Sequence, residues 1–218
     1  MKDKFFVYLH GFASSSNAYK GTSLRAMYEA RGLSLSTPDL NIPSFESMTY
    51  SSILSALDTM YLDRPIPWYI IGSSMGGYLA ARWAELHPDR VGAMVLLCPA
   101  FDLPGRWEKD HGAPLMEAWK SAGNLSIPDA SGTAKNLEWS FIADARSHPT
   151  HPSSAVPTLI IHGRQDEVIP VDSSRRYTEK RPNIRLVEVD DDHGLAASIG
   201  IIDSESFSFF ERITVNSS

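Results

Sequence analysis

The residues most able to do chemistry form a short run, Gly72-Ser73-Ser74-Met75-Gly76. Its G-x-S-x-G spacing lies between an apolar run, Trp68–Ile71, and a helical pattern, Met75–Leu86. A sharp turn from strand to helix holds its central serine in a strained backbone conformation and lifts the hydroxyl clear of the sheet. Ser74 is therefore the candidate nucleophile, and Ser73 reads as a turn residue. The helix that follows points its N-terminus at the same place and favours negative charge developing there. The Met75 N–H is one natural oxyanion donor.

A serine hydroxyl is a weak nucleophile without a base, and the base needs an orienting acid. Behind such a turn, the acid and then the histidine are expected to follow in chain order. Two polar loops that follow apolar strands supply them: His162-Gly163-Arg164-Gln165-Asp166-Glu167 and Asp190-Asp191-Asp192-His193-Gly194. Asp166 is the expected acid, with Glu167 beside it as the competing choice, and His193 is the expected base. His10-Gly11 ends the first apolar run and suits a second oxyanion loop, with the Phe12 N–H as donor. His148 and His151 lie in a proline-rich segment and read as turn or solvent positions. His87 reads as a helix-end surface residue and His162 as a packed strand-end residue.

The aspartate triplet beside His193 invites a metal-binding reading. Side chains alternate in direction along an extended chain, so the three carboxylates cannot all aim inward, and a solvated acidic turn fits better. The sequence contains no HExxH, paired CxxC, phosphate loop or dinucleotide fingerprint, so no metal and no cofactor is expected. Cys98 is the one cysteine; it reads as a small buried hydrophobe and demands no oxidising compartment.

The elements that must position these residues alternate along the chain. Apolar runs at Phe5–Leu9, Leu33–Thr37, Trp68–Ile71, Val91–Leu97, Thr158–His162 and Ile184–Val189 read as strands. Helical spacing marks Ser23–Arg31, Phe45–Leu62, Met75–Leu86, Asp172–Lys180 and Ile199–Ile213. Such alternation predicts parallel strands joined by right-handed crossovers, with the active site at their carboxyl ends. His10-Gly11, Gly72-Ser73-Ser74, Asp166 and His193 all fall at such ends. The rhythm breaks between Pro99 and Pro157, a stretch rich in proline that carries Trp107, Trp119 and Trp139. It reads as a small cap insertion over residues 100–156, with helices near Leu115–Ser121 and Lys135–Ala145. Its tryptophans either line an acyl pocket or form a core of the cap's own.

A length of 218 residues fits a single domain, 1–218, and the 43% hydrophobic and 21% charged content is ordinary for a globular chain. The net charge of −6 argues against a nucleic-acid partner. No apolar stretch approaches the roughly 20 residues of a membrane span, and the chain reads as soluble and cytoplasmic. Oligomeric state is not legible.

Together these residues resemble the α/β-hydrolase superfamily. The matching pieces are Leu9-His10-Gly11-Phe12, Gly72-Ser73-Ser74-Met75-Gly76-Gly77, His162-Gly163 through Asp166 and Pro170, and Asp192-His193-Gly194. With Tyr78, the turn is similar to the Gly-Ser-Ser-x-Gly-Gly-Tyr elbow of small bacterial serine esterases. The superfamily's usual first two strands have no counterpart before Phe5. The resemblance implies a minimal α/β fold of about six parallel strands in local order 2-1-3-4-5-6, with helices on both faces. It implies a Ser74–His193–Asp166 hydrolase acting on small-molecule esters or thioesters through an acyl-enzyme, with the Phe12 and Met75 N–H groups holding the oxyanion. Lactone hydrolysis, carbon–carbon bond hydrolysis, a cofactor-free peroxidase activity and non-catalytic ligand binding are the alternatives that the same residues allow.

Overall fold

The computed structural model describes residue 1 and residues 3–216. In chain order the elements are β1 (Phe5–Leu9), α1 (Tyr19–Glu29), β2 (Leu35–Ser36), α2 (Tyr50–Asp63), β3 (Trp68–Ser73), α3 (Met75–Leu86), β4 (Val91–Leu97), α4 (Leu103–Ala122), β5 (Asn124–Pro128), β6 (Ala134–Glu138), α5 (Ser140–Ala145), β7 (Thr158–Gly163), α6 (Val171–Thr178), β8 (Ile184–Val189) and α7 (Ile199–Asn216). Six strands form one parallel sheet in the order β2-β1-β3-β4-β7-β8. Counted within the sheet, this is the expected 2-1-3-4-5-6 arrangement.

Strand side chains alternate between two apolar layers, as a sheet covered on both faces requires. In β1, Val7 and Leu9 join the core beneath α2 and α3, while Phe6 and Tyr8 face the opposite layer with Leu24 and Tyr28 of α1 and Phe210 of α7. Trp83 of α3 anchors the first layer. Its ring packs against Trp68 at 4.9 Å and Tyr61 at 5.8 Å, and its indole N–H donates to Asp58 at 3.1 Å. Across the second layer, Arg31 makes a two-pronged pair with Asp203 of α7 at 2.8 and 2.6 Å. Among the described residues no helix is long and apolar enough to cross a membrane.

Element ends differ modestly from expectation. α1 begins at Tyr19, earlier than Ser23, and so brings Lys20 into its first turn. α2 begins at Tyr50 because Thr49 and Ser52 form a reciprocal capping box. The larger correction lies between β4 and β7. A helix was expected over Lys135–Ala145, but Ala134–Glu138 is a strand paired antiparallel with Asn124–Pro128. Asp129 makes the hairpin turn by accepting from Ser131 and Thr133 N–H, and Gly132 takes a positive φ of 79°. Alternation then buries Leu137, and only Ser140–Ala145 is helical. Residues 134–138 carry good helix formers, so here pairing overrides intrinsic preference. The expected helix near Leu115–Ser121 exists as the second half of α4, which breaks at Gly112 (φ 77°, ψ 157°) just before Pro114.

The Trp83 packing predicts a large stability effect. Trp83→Ala should lower unfolding free energy by about 3–5 kcal/mol. Exposed Leu62→Ala should stay within about 0.5 kcal/mol, both read by urea denaturation.

Candidate active site

Ser74 occupies the turn between β3 and α3 with φ 53° and ψ −116°, a conformation L-residues avoid. Its surroundings enforce it. The Ser74 N–H donates to Leu97 O at 2.8 Å, and its carbonyl accepts from Tyr78 and Ala100 N–H. A Cβ on Gly76 would lie 2.3 Å from Leu9 O and 2.5 Å from His10 O, and one on Gly72 would lie 2.5 Å from Gly76 O. Only hydrogen at both positions lets α3 start this close to the sheet.

The structure brings the three expected side chains into one hydrogen-bonded row. Ser74 Oγ lies 3.1 Å from His193 Nε2, and His193 Nδ1 lies 2.7 Å from Asp166 Oδ2. This arrangement fits an imidazole that donates from Nδ1 to the carboxylate and accepts from the serine at Nε2. Asp166 is fully enclosed, whereas the His193 ring is partly exposed. The two candidate acids are placed differently: Glu167 is exposed, and the Asp166 side chain faces inward.

Asp166 is held by more than His193. Its Oδ1 accepts from Val168 N–H at 2.9 Å and Ile169 N–H at 2.7 Å. Its Oδ2 lies 3.2 Å from Nε2 of fully buried His162. That nitrogen also donates to Ile169 O at 2.8 Å, which fixes the tautomer and leaves Nδ1 to accept from Ser174 Oγ at 2.7 Å. Burial pushes the Asp166 pKa up, but the hydrogen bonds from His162, His193 and Ile169 N–H outweigh it and hold the carboxyl below the usual range. His162 thus does more than pack at a strand end. Its signal was the spacing to Asp166, four residues on from a strand terminus.

The β1 end carries the second donor loop. His10 is fully buried; its Nδ1 donates to Gly11 O at 2.8 Å and its Nε2 accepts from Leu40 N–H at 2.8 Å. A Cβ on Gly11 would lie 3.2 Å from Ser74 Cβ, so the backbone entering Phe12 runs against the serine. Among the described residues, neither the Phe12 nor the Met75 N–H has an acceptor within the protein. A cavity of about 340 Å³ opens beside Ser74, lined among others by Tyr8, Phe12, Lys20, Ser73 and His193. On the far side of His193 a second cleft of about 420 Å³ is bordered by Gln165, Glu167, Val168 and Asp192.

The aspartate triplet alternates as an extended chain must. Asp190 and Asp192 are exposed, while Asp191 is buried and accepts from Ser198 N–H at 2.8 Å. None of the three tryptophans borders the cavity beside Ser74. Trp119 is buried between Trp107 and Trp139 and donates to Leu137 O at 3.0 Å, and these rings join the same apolar layer as Val7, Leu9 and Trp83 instead of forming a core of their own segment. Cys98, at a positive φ of 43°, is the remaining reactive group nearby. Its sulfur and ligand atoms of Asp166 and His193 lie within 4.8 Å of one another. Burial pushes the thiol pKa well up, so it stays protonated, and the other two side chains are committed to each other.

The sequence profile of the Uncharacterised protein family (UPF0227) matches residues 5–200. The chain belongs to this family. The sheet and the turn at Ser74 have the α/β-hydrolase fold. Among solved structures it is similar to Est1E from Butyrivibrio proteoclasticus, determined with ferulic acid bound, with a TM-score of 0.80 at 18% identity over 97% of this chain and 90% of that one. Among curated sequences it is similar to the pimeloyl-[acyl-carrier protein] methyl ester esterase of Chromobacterium violaceum, 22% identical over 67% of this chain and 68% of that protein. It is also similar to 2-hydroxy-6-oxononadienedioate/2-hydroxy-6-oxononatrienedioate hydrolase 2 of Pseudomonas putida, 26% identical over 83% of this chain and 77% of that protein.

The burial of Cys98 leads to a chemical expectation. The thiol should be inert to a disulfide reagent at pH 8 in the folded protein and should react fully once guanidinium unfolds the chain, as read by absorbance of the released thiolate.

Proposed function

We propose that the chain is a serine hydrolase that cleaves small-molecule carboxylic esters through an acyl-enzyme. One observation carries the reading: the Ser74–His193–Asp166 hydrogen-bonded row starts on a strained turn beside two backbone N–H groups without acceptors among the described residues. The esterase name of the Chromobacterium violaceum relative supports the ester class.

In this reading Ser74 Oγ attacks the carbonyl carbon while its proton passes to His193 Nε2. Asp166 keeps the imidazole in the tautomer that accepts at Nε2 and stabilises the imidazolium that forms. The carbonyl oxygen, now negative, takes hydrogen bonds from the Phe12 and Met75 N–H groups, each donor worth about 2.7–4 kcal/mol in the transition state. Collapse of the tetrahedral adduct breaks the ester C–O bond, and His193 returns the proton to the departing alcohol. Water then enters, gives a proton to His193 and releases the acid, restoring Ser74. A thioester would follow the same course with a thiol as leaving group.

A fluorophosphonate probe tests this without knowledge of the substrate. Wild type should label, and Ser74→Ala and His193→Ala should not. With an activated ester, Asp166→Asn should reduce kcat by about 10⁴-fold. Exposed Glu167→Gln should change it less than about twofold. Labelling that persists in Ser74→Ala, or a large loss in Glu167→Gln with little in Asp166→Asn, would overturn the assignment.

A further inference from the structure

The ester reading leaves one charged side chain beside the nucleophile without a task. Lys20 is half-buried at the edge of the cavity that contains Ser74 and His193. Its Nζ donates to Ser73 Oγ at 3.0 Å. An ammonium carries three N–H donors, so two remain for another acceptor. Lys20 forms no ion pair with a carboxylate among the described residues.

Two features of its placement disfavour its charge. Burial opposes the charged form and moves its pKa down, against the opposing pull of Cys98, Asp166, Asp191 and Asp192. Lys20 also lies in the first turn of α1, at the positive end of the helix, where a cation is disfavoured and no acidic residue compensates. The Ala18 N-cap contributes no side-chain acceptor. An anion arriving in the cavity would relieve both penalties.

We infer that Lys20 is the binding residue for a carboxylate carried by the substrate, so that the ester cleaved at Ser74 is a half-ester of a short dicarboxylic acid. This rests on the ester reading and narrows it to a substrate class. Distance sets the length. Ser73 and Ser74 are chain neighbours, with Cα atoms about 3.8 Å apart. Lys20 and Ser74 also line one cavity of about 340 Å³, so a carboxylate on Nζ and a carbonyl on Ser74 Oγ suit the two ends of one short ligand. Charge sets the valence and the side. A single ammonium, surrounded at longer range by Asp166, Asp191 and Asp192, matches one negative charge better than the two of a phosphate monoester. The cleft beyond His193 is bordered by Glu167 and Asp192 and repels an anion. The carboxylate therefore belongs on the Lys20 side.

Calorimetric titration of the full-length Ser74→Ala protein at low salt tests this with monomethyl glutarate against dimethyl glutarate. The expected result is binding of the half-ester about tenfold or more tighter than the diester, the scale of one charge-assisted hydrogen bond. Ser74→Ala/Lys20→Met should bind the two alike. Ser74→Ala/Lys20→Arg should retain a preference, which separates lost charge from lost packing. Equal binding of the two ligands to Ser74→Ala, including no detectable binding of either, overturns the inference. A preference that survives Lys20→Met does the same. Binding needs no turnover, so the two readings fail separately. Half-ester selectivity in Ser74→Ala beside a wild type that hydrolyses no ester keeps the anion subsite and removes the esterase reading. Hydrolysis of neutral esters without that selectivity does the reverse.

Discussion

Three stretches of backbone meet at the Ser74 turn more closely than any side chain would permit, and the rest of the site is arranged around that meeting. Leu9 O and His10 O at the end of β1 press on Gly76, and Gly76 O presses on Gly72. With hydrogens at those positions α3 can begin directly on the sheet, and the chain must pass through Ser74 at φ 53°. The strain persists because the sheet and helix on either side over-determine it. The same approach brings the Gly11–Phe12 backbone against Ser74. The candidate nucleophile and both candidate oxyanion donors therefore follow from one steric fact.

The electrostatics divide around that point. On one side a fully enclosed carboxylate is shared by His193 and His162 and held by two backbone N–H groups. The Asp166 charge is thereby both dispersed and fixed in direction. His162 is itself fixed by Ile169 O and Ser174, so the acid has a rigid support beneath it. On the other side Lys20 stands at the cavity edge with only a neutral hydroxyl for a partner.

Much of this was legible in the sequence, for identifiable reasons. Strands covered on both faces give continuous apolar runs, so the sheet could be read from Phe5–Leu9, Trp68–Ile71 and their successors. Its strand order came from the family resemblance. Ser74, Asp166 and His193 could be expected to meet because each lies a few residues beyond such a run, at the carboxyl edge of the sheet. The hairpin at Asn124–Glu138 was not, because residues 134–138 carry helix-forming side chains and only the partner strand decides their conformation. Lys20 escaped notice because the helix was expected to begin at Ser23. With its true start at Tyr19, the lysine belongs to a rigid element beside the serine. The second role of His162 depended on a tautomer set by Ile169 O, a contact made only in three dimensions.

The Phe12 ring lies against Trp107 at 5.3 Å and Phe141 at 5.2 Å, both from the stretch between β4 and β7, and against Phe45 at 5.6 Å. The residue proposed to cradle the oxyanion with its backbone is thus clasped by the most variable kind of region in such folds, a long connection between sheet strands. This fold is not modular at that joint. No residue of that stretch lines the cavity beside Ser74, so an exchange for a relative's version would act on the alignment of the donor through packing alone. The position of the donor is therefore tied to a segment that never reaches the cavity, and paired changes at positions 12, 107 and 141 are the route by which that segment could change while the donor stays in place.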